Sequence, residues 1–366
     1  MINTGSHYSV IGLMSGTSLD GVDIAFCRFS VDKNRWTYEI VHGETIGYPD
    51  SWKQILLNLE KADALTFQQT NVDYGIYLGT LVVDFIKKYD LEPDFISSHG
   101  HTIFHQPEKK LTVQIGSGSA IAAVCNLPVV CDFRSLDVAL GGQGAPLVPV
   151  GDKLLFSKFD FCLNLGGFSN VSYQYNDERI AFDISPVNIV MNAVCAKLGK
   201  EYDNGGEVAS TGTINESLLH SLNELEYYKL PFDSPKSLGK EWVIKNINPL
   251  LEKFKLIEAD VLMTFCEHVA MQIAKALNNK PCGNLLVTGG GVYNTFLMEK
   301  IKKHVIHQLT IPGKETIEFK EALVFAFLGV LRMRNEINCL KSVTGAKHDN
   351  VGGVVALPNP PKGRVG

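Results

Sequence analysis

The sequence predicts an α/β protein built of two lobes that repeat one structural theme. Apolar strands joined by small polar turns occur twice, at residues 10–29 and again at residues 159–175. Elsewhere, segments with apolar residues at helical spacing alternate with short apolar strands. The chain has 366 residues, more than one hydrophobic core usually accommodates, so two lobes are expected.

The first lobe begins with a predicted β-hairpin. Residues 10–29 form two apolar strands around a polar turn, and a third strand is predicted at residues 36–44. Helical spacing of apolar residues predicts helices at 51–59, 66–89 and 119–125, with strands at 95–98 and 128–131. The glycine-rich run after Asp132 fits a crossing between lobes, so we expect the first lobe to comprise residues 1–131 and 341–366.

The second lobe, expected over residues 132–340, opens in the same way. Strands are predicted at 159–165, 170–175 and 179–184, and a further buried strand at 284–287. Helices are predicted at 261–277, 294–304 and 321–334, and the tail from Thr344 is expected to be loop. Two such lobes, each aiming a hairpin at a shared cleft, could grip two sides of a nucleotide.

The turn of the first hairpin has the chemistry of an anion site. Ser15, Gly16, Thr17 and Ser18 offer hydroxyls and backbone amides, and successive amides in such a turn form a concave site for anionic oxygens. Asp20 and Asp23 could hold a metal ion. A plain hairpin turn explains the same residues. Similar polar loops end other predicted strands, as at residues 166–169 and 288–291, and ligands bind at such ends in open α/β sheets.

Two further positions are candidates for chemistry. His99, His101 and His105 have a spacing that could bind a metal, but nearby acidic residues are few, so polar contacts to a substrate are favoured. Asp183 ends an apolar strand, where it could cap a turn or act as a general base.

Bulk properties narrow the class of protein. The net charge is −5 and no basic stripe occurs, so nucleic acid is not an expected partner. No apolar run is long enough for a membrane span and no secretory signal is visible, so neither a membrane nor export is expected. The eight cysteines lie singly in apolar contexts, which is typical of reduced thiols in a cytoplasmic protein. The P-loop, G-x-G-x-x-G and G-x-S-x-G motifs are all missing.

A set of motifs covering residues 10–358 resembles the anhydro-N-acetylmuramic acid kinase family. In order they are GLMSGTSLDGVDIA, SHGHTIFHQP, TVQIG, DFRSLDVALGGQGAPLVP, NLGGFSN, FDISPVN, VTGGGVYN and EALVFAFLG. The resemblance implies duplicated actin-like (ribonuclease H-like) α/β lobes with mixed sheets around a central ATP cleft. It also implies ATP and Mg²⁺ as cofactors and a homodimer as the assembly.

By this resemblance, the protein would open the 1,6-anhydro ring of anhydro-N-acetylmuramic acid and phosphorylate the freed O6 during peptidoglycan recycling. Asp183 would activate the attacking water. His99, His105, Arg134 and Glu321 would bind the sugar, and Asp20 or Asp23 would bind Mg²⁺. The expected nucleotide-binding residues are Gly16, Thr17, Ser18, Leu19, Asp20, Gly21, Val22, Asp23, Gly166, Gly167, Asn170, Thr288, Gly289, Gly290 and Gly291.

The chain departs from the usual family pattern at two motifs. The family's FDTGPGN is FDISPVN here, with Ile184 and Val187, and its QIGD ends in Ser117. These changes leave two alternatives open: a related kinase acting on a different sugar, and a catalytically silent sensor of nucleotides or muropeptides. Retention of Asp183 favours an active kinase.

Overall fold

The chain divides into two units in a computed structural model that describes residues 6–16, 19–231 and 236–358. Unit 2 comprises Phe156–Glu318, and unit 1 comprises the residues before and after it. The boundaries expected from the sequence, 131/132 and 340/341, both fall within unit 1. Residues 132–155 and 319–340 therefore group with the N-terminal part of the chain.

Unit 1 starts with three strands, the second and third joined by a tight turn. Lys33 and Asn34 have φ values of 46° and 66°, the left-handed conformation that two-residue hairpin turns need. The long second helix begins at Asp63, whose carboxylate accepts hydrogen bonds from the first-turn amides. The elements are β1 (His7–Ser15), β2 (Gly21–Asp32), β3 (Arg35–Gly47), α1 (Asp50–Asn58), α2 (Ala64–Tyr89), β4 (Phe95–Gln106), β5 (Leu111–Ile115), α3 (Gly118–Cys125), β6 (Val129–Cys131), α4 (Ser135–Ala139) and α5 (Val148–Leu154).

Unit 2 also starts with three strands, after which helices predominate. These elements are β7 (Phe161–Leu165), β8 (Phe168–Tyr175), β9 (Glu178–Pro186), α6 (Asn188–Ala196), α7 (Glu207–Thr211), α8 (Glu216–Asn223), α9 (Lys240–Asn246), α10 (Asn248–Phe254), α11 (Glu258–Leu277), β10 (Asn284–Thr288), α12 (Thr295–His304) and β11 (Gln308–Thr310). The chain then enters α13 (Lys314–Arg334), which leaves helical geometry at Phe319, and ends with α14 (Lys341–Thr344) and β12 (Val354–Ala356).

The two sheets share one topology. In unit 1 the strand order is β12-β6-β4-β1-β2-β3, with β5 paired to β4, and in unit 2 it is β11-β10-β7-β8-β9. In each unit the first three strands are antiparallel and two further strands continue the sheet in parallel, β4 and β6 in unit 1 and β10 and β11 in unit 2; unit 1 adds the antiparallel β5 and β12. The predicted duplicated α/β fold class with mixed sheets is confirmed.

The second part of α13 belongs to unit 1 because it packs directly on that sheet. A Cβ added at Gly12 of β1 would lie 2.1 Å from the carbonyl oxygen of Ala322, so only glycine permits this approach. The hydroxyl of Ser97 on β4 donates to the carbonyl oxygen of Phe325 at 2.5 Å. The sequence suggested that residues 319–340 belong to the second lobe. These contacts explain why they group with unit 1 instead.

The tail differs from the prediction of loop. Its β12 pairs antiparallel with β6, and so extends the sheet of unit 1. The helices between residues 188 and 254 were also not predicted. They are short, so the few apolar residues in each do not form a clear helical pattern. Each unit has its own apolar core, and none of the described helices is both long and apolar enough to span a bilayer.

A buried carboxylate ties the tail to the body of unit 1. Asp137 is fully buried and accepts hydrogen bonds from the backbone amide of Gly144 at 2.8 Å and from Cys339, Thr344 and Asn350 at 3.0, 2.8 and 2.9 Å. Four donors compensate the cost of burying this side chain.

Replacing Asp137 with alanine should therefore destabilise unit 1 by at least about 3 kcal/mol, because several buried donors lose their common acceptor and each unsatisfied group costs about 1–3 kcal/mol. The loss is measured by urea unfolding followed by circular dichroism. Asp349→Ala is the control, since the Asp349 carboxylate accepts from the Lys341 amide near the surface and its loss should cost about 1 kcal/mol. Equal losses in the two variants would contradict a special role for Asp137.

Candidate active site

The loop after β1 is shorter than the predicted phosphate loop. The carbonyl oxygen of Gly16 accepts from the amide of Leu19 at 3.4 Å, and Leu19 has a φ of 61°. Gly21, Val22 and Asp23 belong to β2, and the Val22 side chain is completely buried. Of the residues between β1 and β2, Gly16 and Leu19 are half-buried and Asp20 is exposed, while Thr17 and Ser18 lie outside the described residues.

The two aspartates near this turn differ in environment. The Asp20 side chain is exposed, whereas Asp23 is half-buried and accepts from the Thr45 hydroxyl at 2.6 Å. Among the described residues no group of three or more histidine, cysteine, aspartate or glutamate side chains could hold a metal. Mg²⁺ commonly takes only one or two carboxylates and completes its shell with phosphate and water oxygens. The oxygen donors of Asp20 and Asp23 fit that chemistry.

A buried polar network underlies the turn. The hydroxyl of Ser15 hydrogen-bonds to Nδ1 of His101 at 2.8 Å and to the hydroxyl of Tyr48 at 2.6 Å, and Tyr48 in turn contacts the hydroxyl of Tyr74. Burial lowers the pKa of His101 to about 4, so its ring is neutral at physiological pH. His101 thus supports Ser15 at the end of β1, and the two tyrosines of this network were not singled out from the sequence.

His99 holds the guanidinium of Arg134. Nδ1 of the buried His99 ring lies 2.9 Å from the carbonyl oxygen of Gly100, and Nε2 lies 3.1 and 2.9 Å from Nε and Nη2 of Arg134. A carbonyl only accepts and a guanidinium only donates, so the proton is on Nδ1. Burial and the Arg134 charge hold the pKa of His99 well below its usual range. Arg134 also donates to the carbonyl oxygen of Gly144 at 2.7 Å.

Glu321 and His105 lie within the electrostatic reach of Arg134. The side chain of Glu321, on α13, is exposed. Desolvation of its carboxylate raises its pKa, Arg134 lowers it and Asp23 raises it further. His105 is exposed at the end of β4 and contacts the Thr112 hydroxyl at 3.1 Å; partial desolvation and Arg134 lower its pKa. Unit 1 therefore brings all four predicted sugar-binding residues into one electrostatic neighbourhood.

A cavity of about 310 Å³ lies beside this group within unit 1. Ser117 lines it and also caps α3, since its hydroxyl accepts from the Ala120 amide at 3.3 Å. The cavity is polar enough to bind a hydroxylated ligand, and most of its residues were not singled out from the sequence. They are Asn71, His99, Gly100, Thr112, Val113, Gln114, Gly116, Ser117, Gly118, Cys131, Asp132 and Ser135.

In unit 2, the Gly166-Gly167 turn is fastened to the start of α6. The carbonyl oxygen of Gly167 accepts from the amides of Val187 and Ile189 at 2.8 and 3.2 Å, and that of Gly166 from Asn188 at 3.3 Å. The turn is thereby fixed in position, at the end of β7.

The Thr288–Gly291 loop lies beside this turn because β7 and β10 are parallel neighbours. A Cβ at Gly289, whose φ is 85°, would meet the side-chain oxygen of Asn164 at 2.6 Å and the carbonyl oxygen of Leu165 at 2.7 Å. Thr288 is buried, and no described atom lies within 4 Å of a Cβ placed at Gly290. Among the described glycines of this loop, Gly290 is thus the one with open space at its Cβ position.

Asp183 is half-buried on β9, where it pairs with Asn170 of β8. Its Oδ2 accepts from the backbone amide of Leu238 at 2.8 Å. Burial raises the pKa of Asp183 to about 6, and the Leu238 amide opposes that rise. The sequence did not predict the approach of residues 236–238 to this carboxylate.

Ile184 and Val187, the two departures beside Asp183, point into the core of unit 2. Their side chains are 1% and 0% exposed. Neither side chain is available to a ligand. Both substitutions therefore change core packing under the loop and leave the Asp183 carboxylate in place.

The whole described chain matches one known family. Its model, described as anhydro-N-acetylmuramic acid kinase, matches residues 8–358. A protein of that name from Pasteurella multocida (strain Pm70) is 36% identical over 358 residues, covering 92% of this chain and 93% of the relative. Another, from Saccharophagus degradans, is 33% identical and covers 95% of this chain and 98% of the relative. The chain therefore belongs to the anhydro-N-acetylmuramic acid kinase family.

Proposed function

We propose that this kinase opens the 1,6-anhydro ring of anhydro-N-acetylmuramic acid and phosphorylates the freed O6 with ATP, in cell-wall recycling. The products are N-acetylmuramic acid 6-phosphate and ADP. The single observation that carries this proposal beyond family membership is the Asp183 carboxylate. One of its oxygens is held by a backbone amide, and burial brings its pKa close to neutrality.

A carboxylate in this state can act as a general base. Asp183 would take a proton from water while the water oxygen bonds to the anomeric carbon C1 and the C1–O6 bond breaks. The freed O6 would then attack the γ-phosphorus of ATP, and ADP would leave. A catalytic pKa near the working pH makes proton transfer efficient.

The amino sugar would occupy the cavity of unit 1. At about 310 Å³ the cavity is at the small end of the range for ligand pockets. Arg134, bonded to the cavity residue His99, supplies a positive charge beside the cavity, and Glu321 and His105 are the further predicted sugar ligands. Burial lowers the pKa of Arg134 to about 10, so it stays charged at neutral pH.

By the family resemblance, the glycine-rich turns would bind the nucleotide. Gly16–Asp20 and Gly166-Gly167 with Asn170 would contact phosphates, and Thr288–Gly291 would lie on the adenosine side. Mg²⁺ would neutralise phosphate charge when bound, and Asp20 and Asp23 would hold it directly or through water. Phosphoryl transfer depends mainly on such positioning and charge neutralisation.

We further propose that the protein works in the cytoplasm as a homodimer. Both proposals are supported by the family resemblance, and the first also by the isolated cysteines.

With MgATP in labelled water, the protein should convert anhydro-N-acetylmuramic acid into a 6-phosphate that carries the label at C1. Mass spectrometry of the product measures both features. Free N-acetylmuramic acid and simple hexoses serve as competing substrates. ADP release without a labelled phosphosugar would overturn the hydrolytic step, and preference for a hexose would overturn the sugar assignment.

Asp183→Asn should reduce kcat by at least about 10³-fold, because it removes the base. Nucleotide affinity, measured by calorimetry, should change little. Asp177→Asn is the matched control, since Asp177 lies at the β8–β9 turn with a φ of 64° that asparagine also adopts. Retained turnover in Asp183→Asn would remove Asp183 from the base role.

The pH profile of kcat/KM should show an acid limb near pH 6. The base acts only when ionised, so activity is full above the Asp183 pKa and falls about tenfold per pH unit below it. Initial rates between pH 4.5 and 8 measure the limb. An activity that is flat across this range would contradict a base with this pKa.

A further inference from the structure

Three hydrogen bonds join Asp183 to one remote segment of unit 2, here named the clamp segment, consisting of residues 226–231 and 236–238. The amide of Asp183 donates to the carbonyl oxygen of Lys236 at 3.0 Å. The hydroxyl of Tyr227 donates to the carbonyl oxygen of Asp183 at 2.6 Å, and the amide of Leu238 donates to Oδ2 at 2.8 Å. Backbone and side chain of the same residue are thus both held by the clamp segment.

These contacts make the two carboxylate oxygens unequal. Oδ2 is engaged by the Leu238 amide, whereas none of the described residues hydrogen-bonds to Oδ1. The lone pairs of Oδ1 are therefore available to a proton donor. The orientation of the carboxylate about its side-chain bonds depends on the position of Leu238, which the clamp segment sets.

The side chain of Tyr227, near the start of the clamp segment, is held in place by packing. Tyr227 is the second residue of a short 3₁₀ helix, Glu226–Lys229, and its side chain is largely buried. Its ring stacks at an angle on Trp242, with centroids 5.5 Å apart. A hydroxyl on a ring packed in this way is a fixed donor with little freedom to move.

We propose that Tyr227 is a positioning residue for the reaction: through the clamp segment it holds Asp183 with Oδ1 turned to the attacking water. This inference rests on the proposed role of Asp183. Loss of the Tyr227 hydroxyl should let residue 183 move away from Leu238 and weaken the bond to Oδ2. Because that bond stabilises the charged carboxylate, the pKa of Asp183 should then rise.

Among the residues that the structure describes, few charged groups face Asp183 from the neighbouring elements. On the clamp segment, the ammonium of Lys236 lies 4.8 Å from the Tyr227 ring centroid and 5.5 Å from that of Phe182. Partial burial and the nearby Lys275 of α11 lower the pKa of Lys236 to about 8, so it stays charged near pH 6. From β8 the paired residue is the neutral Asn170. A phenylalanine at position 227 keeps the ring beneath Lys236 and removes only the hydroxyl.

The decisive experiment is a titration of the Asp183 carboxyl in the full-length protein without substrate. Aspartate is labelled with ¹³C at the carboxyl, and the Asp183 signal is identified by its loss in Asp183→Asn. Tyr227→Phe should raise the pKa by about 0.5 unit, and Leu238→Pro, which removes the amide donor itself, by about 1 unit. The acid limb of kcat/KM should move to higher pH in parallel, with kcat lower and the KM for ATP unchanged.

Tyr228→Phe is the matched control. Its hydroxyl lies 3.3 Å from the Ser185 hydroxyl and is likewise buried, so its loss should affect stability about equally and leave the Asp183 pKa at the wild-type value. An unchanged pKa in Tyr227→Phe would overturn the proposal, even if activity falls. If Leu238→Pro does not fold, Tyr227→Phe decides alone. Retained turnover in Asp183→Asn would instead refute the proposed function, whereas the substrate-free titration tests the clamp separately.

Discussion

The requirement that buried polar groups be hydrogen-bonded places the candidate site residues of this protein. Ser15 is held by His101, Arg134 by His99, and Asp183 by Leu238, and each partner lies at least 35 residues away in the sequence. Local turn preferences alone would leave these side chains free to rotate. Their orientation comes from contacts that exist only after distant segments have packed.

The repeated sheet provides the frame for those contacts. In both units a strand of the opening hairpin has a parallel neighbour, β4 beside β1 and β10 beside β7. Their carboxyl ends therefore meet, and the loops that follow are forced together. Close approach then requires glycine, as at Gly289, where a side chain would collide with Leu165. The glycine-rich loops are thus explained partly by packing, before any ligand is considered.

The departures from the usual family pattern have separate physical consequences. Ile184 and Val187 are core residues, and they add apolar volume beneath the Asp183 strand. Ser117 lines the cavity of unit 1 and caps a helix, a role that a short polar side chain can fulfil. Ile184 and Val187 therefore affect the packing beneath Asp183. Ser117, of these three, is the one that changes the chemical character of a ligand cavity.

The sequence alone determined the class of fold, its duplication, the opening strands of each lobe and the family, because hydrophobic period and turn composition are local properties. It did not predict where the units divide, since α13 groups with unit 1 through contacts of Gly12 and Ser97 that no local pattern reveals. It also identified Asp183 and Arg134 as candidates but not the partners that orient them, Tyr227, Leu238 and Gly144. Only the tertiary structure decided those, because a hydrogen bond between residues remote in the chain depends on packing geometry, for which composition and spacing carry no signal.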